Sequence, residues 1–174
     1  FIRIPSWCRS ATVTVAGAEV PTSPGEYLEI RRRWSPGDRV QIELPMPVEL
    51  LVANPMAAET RGSVTIKRGP IVYCFESTDN RDMNIREASL ILPDHGEPIF
   101  EEIYQPELLG GVVVLKTRGA VPAEDWGELY HTIDTPSPSY REVMLTAVPY
   151  FAWNNRGVGA ITVWLQNIPE TALS

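Results

Sequence analysis

Apolar and polar side chains alternate one for one along much of this chain. Val13 and Val15 alternate with Thr12 and Thr14, and Val40, Ile42 and Leu44 with Gln41 and Glu43. Near the end, Ile161, Val163 and Leu165 alternate with Thr162 and Trp164. A period of two puts one face of a strand in a core and the other towards water. Further strands are expected at Phe1–Ile4, Tyr27–Arg31, Glu49–Val52, Ser63–Lys67, Ile71–Glu76, Ser89–Leu92, Val112–Lys116 and Val143–Val148. No stretch keeps a 3.6-residue period over three turns, and the sixteen prolines would break most long helices. Short strands separated by turn residues predict an all-β fold, an antiparallel β-sandwich built as two sandwich units.

Turn chemistry supports the pattern. Pro36-Gly37 suits the two central positions of a type II turn. It separates Tyr27–Arg31 from Arg39–Leu44, which predicts an antiparallel hairpin of those two strands. Gly110-Gly111 and Arg118-Gly119 bracket another strand, and Pro45 and Pro47 should mark an edge or a corner between sheets. The polar run Ser77 to Asn84 places a boundary near residues 76–88, giving one domain over 1–80 and a second over 81–174. Arg118 to Arg141 reads as a long loop, uncommon in a compact domain. Trp126, Leu129 and Tyr130 are expected to pin it, through a short helical turn at Ala123–Leu129. The chain opens inside an alternating strand without an initiator Met, as a fragment would.

Charge narrows the partners. Residues 1–75 carry nine basic and seven acidic side chains, residues 76–174 six and fifteen. The acidic second part argues against nucleic-acid phosphates, which need clustered Lys and Arg. No apolar run approaches the ~20 residues of a membrane helix. Arg31-Arg32-Arg33 reads as a solvated basic face or a salt-bridge site between domains. Two cysteines suit a reducing, cytoplasmic compartment without excluding a periplasmic one. Cys74 lies in an apolar run and reads as a buried inert thiol; a Cys8–Cys74 disulfide stays open. With His95 and His131 far apart, these cysteines lack the clustered spacing of a zinc site.

Candidate chemistry is sparse, and no catalytic residue is assigned. Glu101-Glu102 are neighbours on a strand-like segment and point to opposite faces, and Asp79 and Asp82 share a polar loop. Neither makes the paired carboxylates of glycoside hydrolysis. No G-x-S-x-G elbow or phosphate-cradling glycine loop occurs. Aromatic residues are the binding candidates: Trp153, with Asn154 and Arg156 beside it, and Trp164 on the face opposite Ile161, Val163 and Leu165. A tryptophan face stacks on a sugar ring while Asn and Arg bond hydroxyls. The same residues serve equally well in a core or a domain interface.

Several phrases recur in fixed order: Arg3-Ile4-Pro5-Ser6-Trp7; Tyr27 to Arg33-Trp34 and Gly37-Asp38; Ala53-Asn54-Pro55; Arg68 to Glu76; Asp79-Asn80; and Pro149 to Gly157. In this order the chain resembles the C-terminal region of glycoside hydrolase family 127, the β-L-arabinofuranosidase type. The resemblance implies C-terminal β-sandwich domains behind an (α/α)6 catalytic barrel. That barrel carries a nucleophilic cysteine, a glutamate acid/base and a zinc ion held by cysteines and a glutamate. Cys8 and Cys74 match strand phrases instead, so neither zinc nor any other cofactor is expected here. The implied role is a non-catalytic accessory region whose partner is its own upstream barrel. A carbohydrate-binding module and an oligomerisation or structural domain, with sugar or a second copy as partner, remain alternatives.

Overall fold

The short alternating runs fold as strands. The computed structural model describes residues 1–95, 98–125, 127–136 and 139–173. Among them there is no α-helix, only strands and the 3-10 turns Ala58–Thr60, Tyr150–Ala152 and Glu170–Leu173. The chain divides into one unit of residues 1–48 with 68–70, and a second of 49–67 with 71 onward.

In the first unit, β1 (Ile2–Arg3), β2 (Thr12–Val15), β3 (Ala18–Val20), β4 (Tyr27–Leu28) and β5 (Val40–Glu43) form two small antiparallel sheets. Ile4, Val13 and Val15 are buried between them, flanked by Ile2, Val20, Leu28 and Ile30. Pro36-Gly37 makes the expected turn: the Asp38 N–H donates to Ser35 O at 3.0 Å, and Gly37 has φ 94°. The expected hairpin does not form. β4 pairs with β1, and β5 pairs with β2. A tight Ala16-Gly17 turn, with φ 48° and 84°, joins β2 to β3 instead, the positive-φ geometry that matches strand twist.

The second unit is not the expected sandwich. It holds β6 (Val48–Val52), β7 (Ser63–Arg68), β8 (Ile71–Glu76), β9 (Ser89–Leu92), β10 (Glu101–Gln105), β11 (Val112–Pro122), β12 (Tyr140–Pro149), β13 (Ile161–Thr162) and β14 (Leu165–Pro169). Pairing runs β8-β12-β11-β9-β14-β7 and returns to β8, so six strands close into a barrel. The β14–β9 pairing is parallel. Closure leaves no edge on the ring, where a sandwich would leave four. Register puts Phe75, Ala147 and Leu115 on one face of the wall. Cys74, Val148 and Val114 lie on the other, under Ile103, Leu108, Ile161 and Val163. Both faces are covered, which is why β8 reads as a continuous apolar run.

Other expectations shift accordingly. The Ser77 to Asn84 stretch lies inside the second unit, because β8 before it pairs with β12 and β13. Arg118-Gly119 does not end a strand; β11 continues to Pro122 and β12 starts at Tyr140, which shortens the expected loop from both sides. No helical turn forms among the described residues of Ala123–Leu129. Leu129 and Tyr130 are almost fully exposed instead of pinning the loop, and Trp126 lies outside the described residues. Cys8 and Cys74 are buried free thiols, not a disulfide.

Gly119 stands where β11 has no room for a side chain beside its neighbours. A Cβ there would stand 2.2 Å from Leu145 Cδ1 and 2.9 Å from the carbonyl oxygen of Ser89. The leucine can turn aside, but the backbone oxygen of β9 cannot. Gly119→Ala should lower unfolding free energy by about 1–3 kcal/mol, an overpacking cost read from the midpoint of urea denaturation.

Candidate functional site

The polar centre of the second unit lies where β8 and β12 end. Pro149 offers no N–H to continue the ladder, and the chain turns through Tyr150–Ala152, with Ala152 buried and the Trp153 N–H donating to Tyr150 O at 3.1 Å. Tyr150 and Trp153 thereby stack, ring centroids 5.8 Å apart at 27°. Both stay partly exposed, and Phe151 is 61% exposed. Asn154 takes φ 60°, a left-handed conformation that asparagine tolerates better than most residues. Its N–H donates to Glu76 Oε1 at 3.1 Å.

Arg156 closes this corner. Its Nη1 and Nη2 donate to both oxygens of Asp79, at 2.5 and 2.7 Å, and Nη2 also donates to Glu76 Oε2. The fork suits a carboxylate, which accepts two parallel N–H bonds. Glu76 is only 5% exposed in its side chain, so it needs this cation. Burial works against the charge on Arg156, and the hydrogen bonds to Asp79 and Glu76 outweigh it, so its pKa lies above the ordinary value. Its Nε is buried with no hydrogen-bond partner among the described residues. Arg156 also helps to line an open cavity of about 460 Å³ with Tyr104 to Leu108.

The loop after Glu76 is stitched in place. Asn80 is buried; its Nδ2 donates to Glu76 O at 2.8 Å and Thr146 O at 2.9 Å, and its Oδ1 accepts from the Thr146 N–H at 2.9 Å. It thus acts as a backbone surrogate along β12. Ser77 N–H donates to Ala160 O, and the Ala160 N–H returns to Ser77 Oγ, both at 3.0 Å.

Of the four residues singled out in the sequence, Trp153, Asn154 and Arg156 share this corner, though Arg156 directs its guanidinium to Asp79 and Glu76. Trp164 is partly buried at the break between β13 and β14, where its carbonyl accepts from Thr162 Oγ1 at 2.7 Å. That break interrupts the strand expected across Ile161–Leu165. Glu76, Asp79 and Asn80 were not distinguished as a site by their own run. The one cue was a glutamate continuing an apolar strand without a break. Nor was a second ion pair foreseen: Arg118 donates to Glu142 at 2.6 and 3.1 Å and to Glu170 at 2.5 Å. The hydrogen bond from Arg118 holds Glu142 below the usual carboxylate range. Trp34 lies exposed beneath Arg32, 5.1 Å from ring centroid to guanidinium carbon, and Arg32 also meets Asp38 at 3.1 Å.

These acids are committed to arginines, so the site is an ion-paired corner, not a pair of opposed carboxylates facing a sugar. Metal chemistry fits no better. Burial first, then the nearby Glu76, pushes the Cys74 thiol up to about 12, whereas a zinc-binding cysteine must give up its proton. The described residues include no grouping of three or more His, Cys, Asp or Glu suited to a metal. No described helix is long and apolar enough to cross a membrane.

The second unit is a closed β-barrel with an ion-paired corner, and the first is a small all-β unit. The sequence model of the glycoside hydrolase family 127 C-terminal domain matches residues 48–166, and that of the beta-L-arabinofuranosidase GH127 middle domain matches residues 1–46. The chain belongs to glycoside hydrolase family 127 and holds its C-terminal domain. It is 35% identical over 173 residues to a non-reducing end beta-L-arabinofuranosidase of Bifidobacterium longum, covering 94% of this chain and 25% of that protein. The crystal structure of a GH127 beta-L-arabinofuranosidase from Geobacillus stearothermophilus T6 superposes with TM-score 0.81 at 38% identity, over 95% of this chain and 26% of that one. A GH127 beta-arabinofuranosidase structure gives 0.80 at 32% identity, over 99% and 28%. The chain therefore spans about a quarter of the length of the curated relative it matches.

Two predictions follow from the corner. Arg156→Met strands the buried Glu76 carboxylate and should cost about 3 kcal/mol in urea denaturation, while Arg156→Lys, with charge but no fork, should fall between. Cys74 binds its proton more tightly folded than unfolded. Its contribution is complete below the ordinary thiol pKa of about 8.5. It is lost as pH rises towards about 12. Replacing Cys74 with Ala should remove that alkaline decline from the stability–pH curve.

Proposed function

We propose that this chain is the non-catalytic C-terminal β region of a β-L-arabinofuranosidase-like glycoside hydrolase, packing against and stabilising a separate catalytic barrel. Supporting it is one contrast in the second unit. The corner acids Glu76 and Asp79 are turned inward onto Arg156, while Tyr150, Phe151 and Trp153 stand outward on the turn that this ion pair makes rigid. Apolar groups on a fixed corner suit docking, because little side-chain freedom is lost on contact. The nucleophilic cysteine, the glutamate acid/base and the zinc belong, on this reading, to the barrel, and this region needs no cofactor. Free thiols at Cys8 and Cys74 fit a reducing, cytoplasmic setting.

A sugar-binding role is the second reading, favoured by the stacked and partly exposed Tyr150–Trp153 pair with Asn155 beside it. A self-association role would use the same aromatic face with a second copy as partner. The three readings separate in one set of measurements. On the docking reading, Phe151→Ser in the full-length enzyme lowers its melting temperature by several degrees and leaves kcat/KM of the folded enzyme intact. The 174-residue chain alone neither hydrolyses an aryl β-L-arabinofuranoside nor gives saturable heat with arabino-oligosaccharides. Hydrolysis by the chain alone would falsify the accessory role. Saturable heat lost in Trp153→Ala would transfer the corner to sugar binding, and a dimer that Phe151→Ser dissociates would transfer it to self-association.

A further inference from the structure

The phrase Ala53-Asn54-Pro55 opens the loop between β6 and β7 in the second unit, and neither the barrel core nor the ion-paired corner uses it. Asn54 shapes this loop: its Oδ1 accepts from the Met56 N–H at 2.9 Å, and its carbonyl accepts from the Ala57 N–H at 2.8 Å. The 3-10 turn Ala58–Thr60 follows and brings Arg61 back to the phrase, where Arg61 Nε donates to Pro55 O at 3.2 Å. From β14, Asn167 Nδ2 donates to Gly62 O at 3.0 Å. Asn54, Arg61 and Asn167 thereby line one cavity of about 180 Å³, with Val52, Pro55 and Ala57 as its apolar wall. Each of the three polar side chains commits one group to the backbone and keeps others. A backbone N–H bonds only the amide oxygen of Asn54, which leaves its Nδ2 unused. A backbone carbonyl accepts only from the Nδ2 of Asn167, which leaves its Oδ1 unused. Arg61 keeps both Nη groups and has no ion pair among the described residues. Glu59, on the same turn, does not line the cavity.

We propose that this cavity binds a small hydroxylated carboxylate of the sugar-acid class, with Arg61 and Asn54 on the carboxylate and Asn167 accepting from a hydroxyl. Donors dominate the wall: the Nη groups of Arg61 and the Nδ2 of Asn54 stand against one unused amide oxygen. A neutral sugar presents hydroxyls that donate as well as accept, and this wall offers them few acceptors. A carboxylate only accepts, and the end-on pair Nη1 and Nη2 matches its two oxygens. The bond from Nε to Pro55 O restrains the guanidinium beforehand, so less side-chain freedom is lost when a ligand binds. Val52, 76% exposed, offers an apolar surface to the C–H face of the ligand. Size limits the ligand as well. Pockets for drug-sized ligands run roughly 300–1,000 Å³. At about 180 Å³ this one takes a single unit, not an oligosaccharide chain. None of its lining residues belongs to the aromatic turn or the ion-paired corner, so the site adds a binding function to the docking role.

Titration calorimetry of the 174-residue chain with sodium D-galacturonate tests this. Saturable heat is expected, with a dissociation constant of about 1 mM or tighter. D-Galactose, which carries a CH2OH group in place of the carboxylate, should bind at least about tenfold more weakly. Arg61→Gln removes the charge and the fork and should weaken galacturonate by about tenfold or more. Asn54→Asp keeps an oxygen for the Met56 N–H, and with it the turn, but sets a like charge against the ligand. It should weaken galacturonate as much while leaving the urea midpoint unchanged. Tighter binding of trigalacturonate than of the monomer supports the site and names the acidic end of a glycan as the source of the carboxylate. Tighter binding of the monomer, or of gluconate, supports it and names a free sugar acid. Galactose binding as tightly as galacturonate would overturn the proposal, as would unchanged affinity in both variants. So would the absence of saturable heat up to about 10 mM galacturonate.

Discussion

The second unit depends on one insertion: β14 lies between β7 and β9. On one side Leu165 and Gln166 pair antiparallel with Val64 and Ser63; on the other Gln166 to Pro169 pair parallel with Ser89 to Leu92. Without this strand, β7 and β9 would each expose a row of unpaired N–H and C=O groups, and the wall would be an open sheet. Side chains reinforce the seam. Gln166 Nε2 donates to Ser63 Oγ at 3.0 Å, and Asn167 Nδ2 donates to Gly62 O at 3.0 Å. The strand arrives last in the chain and joins β7, 103 residues earlier at Ser63, to β9, 77 residues earlier at Ser89. Backbone pairing at that separation fixes the ring, and the apolar faces of β8, β11 and β12 then have an inside and a covered outside.

The ion-paired corner follows from that closure. β8 and β12 run side by side, and their ends bring Glu76, Asp79 and Asn80 against the turn after Pro149. The amide and the two carboxylates there each have a defined task. Asn80 completes the ladder beside Thr146, Glu76 accepts from Asn154 and Arg156, and Asp79 takes the guanidinium fork. A buried carboxylate is costly unless paired, so the corner is held in one arrangement. The Arg118–Glu142–Glu170 triad is different. It sits in solvent with all three side chains near half exposed, and such contacts add little stability. Burial, not the number of ion pairs, separates a fixed structural centre from a surface decoration.

The sequence was legible where apolar pattern and pairing agree. β8 and β9 fall at Ile71–Glu76 and Ser89–Leu92 as expected, because strands buried on both faces read as apolar runs. The Pro36-Gly37 turn was legible because its backbone needs glycine at positive φ. β14 was not, since Gln166 and Asn167 break the apolar alternation and are held by pairing on both edges. β3 was missed because Ala16-Gly17 is a weaker hairpin signal than Asn-Gly. Partner choice was the least visible feature. Adjacency in sequence suggested β4 with β5, but β4 found β1 and β5 found β2. Arg156 was singled out for its neighbours Trp153 and Asn154. Its carboxylate partners lie about eighty residues away, where no local pattern can point.

The two units solve the problem of core size in opposite ways. The second builds a ring, and a ring has no outer strand whose apolar face runs past its cover. The first has two short sheets, and the core face of the larger one extends over β5 beyond the two-residue strands opposite. Small domains bury a smaller share of their surface than large ones, so an uncovered strand weighs more heavily in the first unit. The aromatic turn at Tyr150–Trp153 is exposed for another reason. It stands on a corner whose carboxylates are already paired, so its apolar rings are available without cost to the barrel beneath. The same property, exposed apolar surface, therefore has two physical origins: a core left open in one unit, and a finished corner with rings left over in the other. Replacing apolar groups with polar ones should affect them differently, since only the first face belongs to the interior of its own unit.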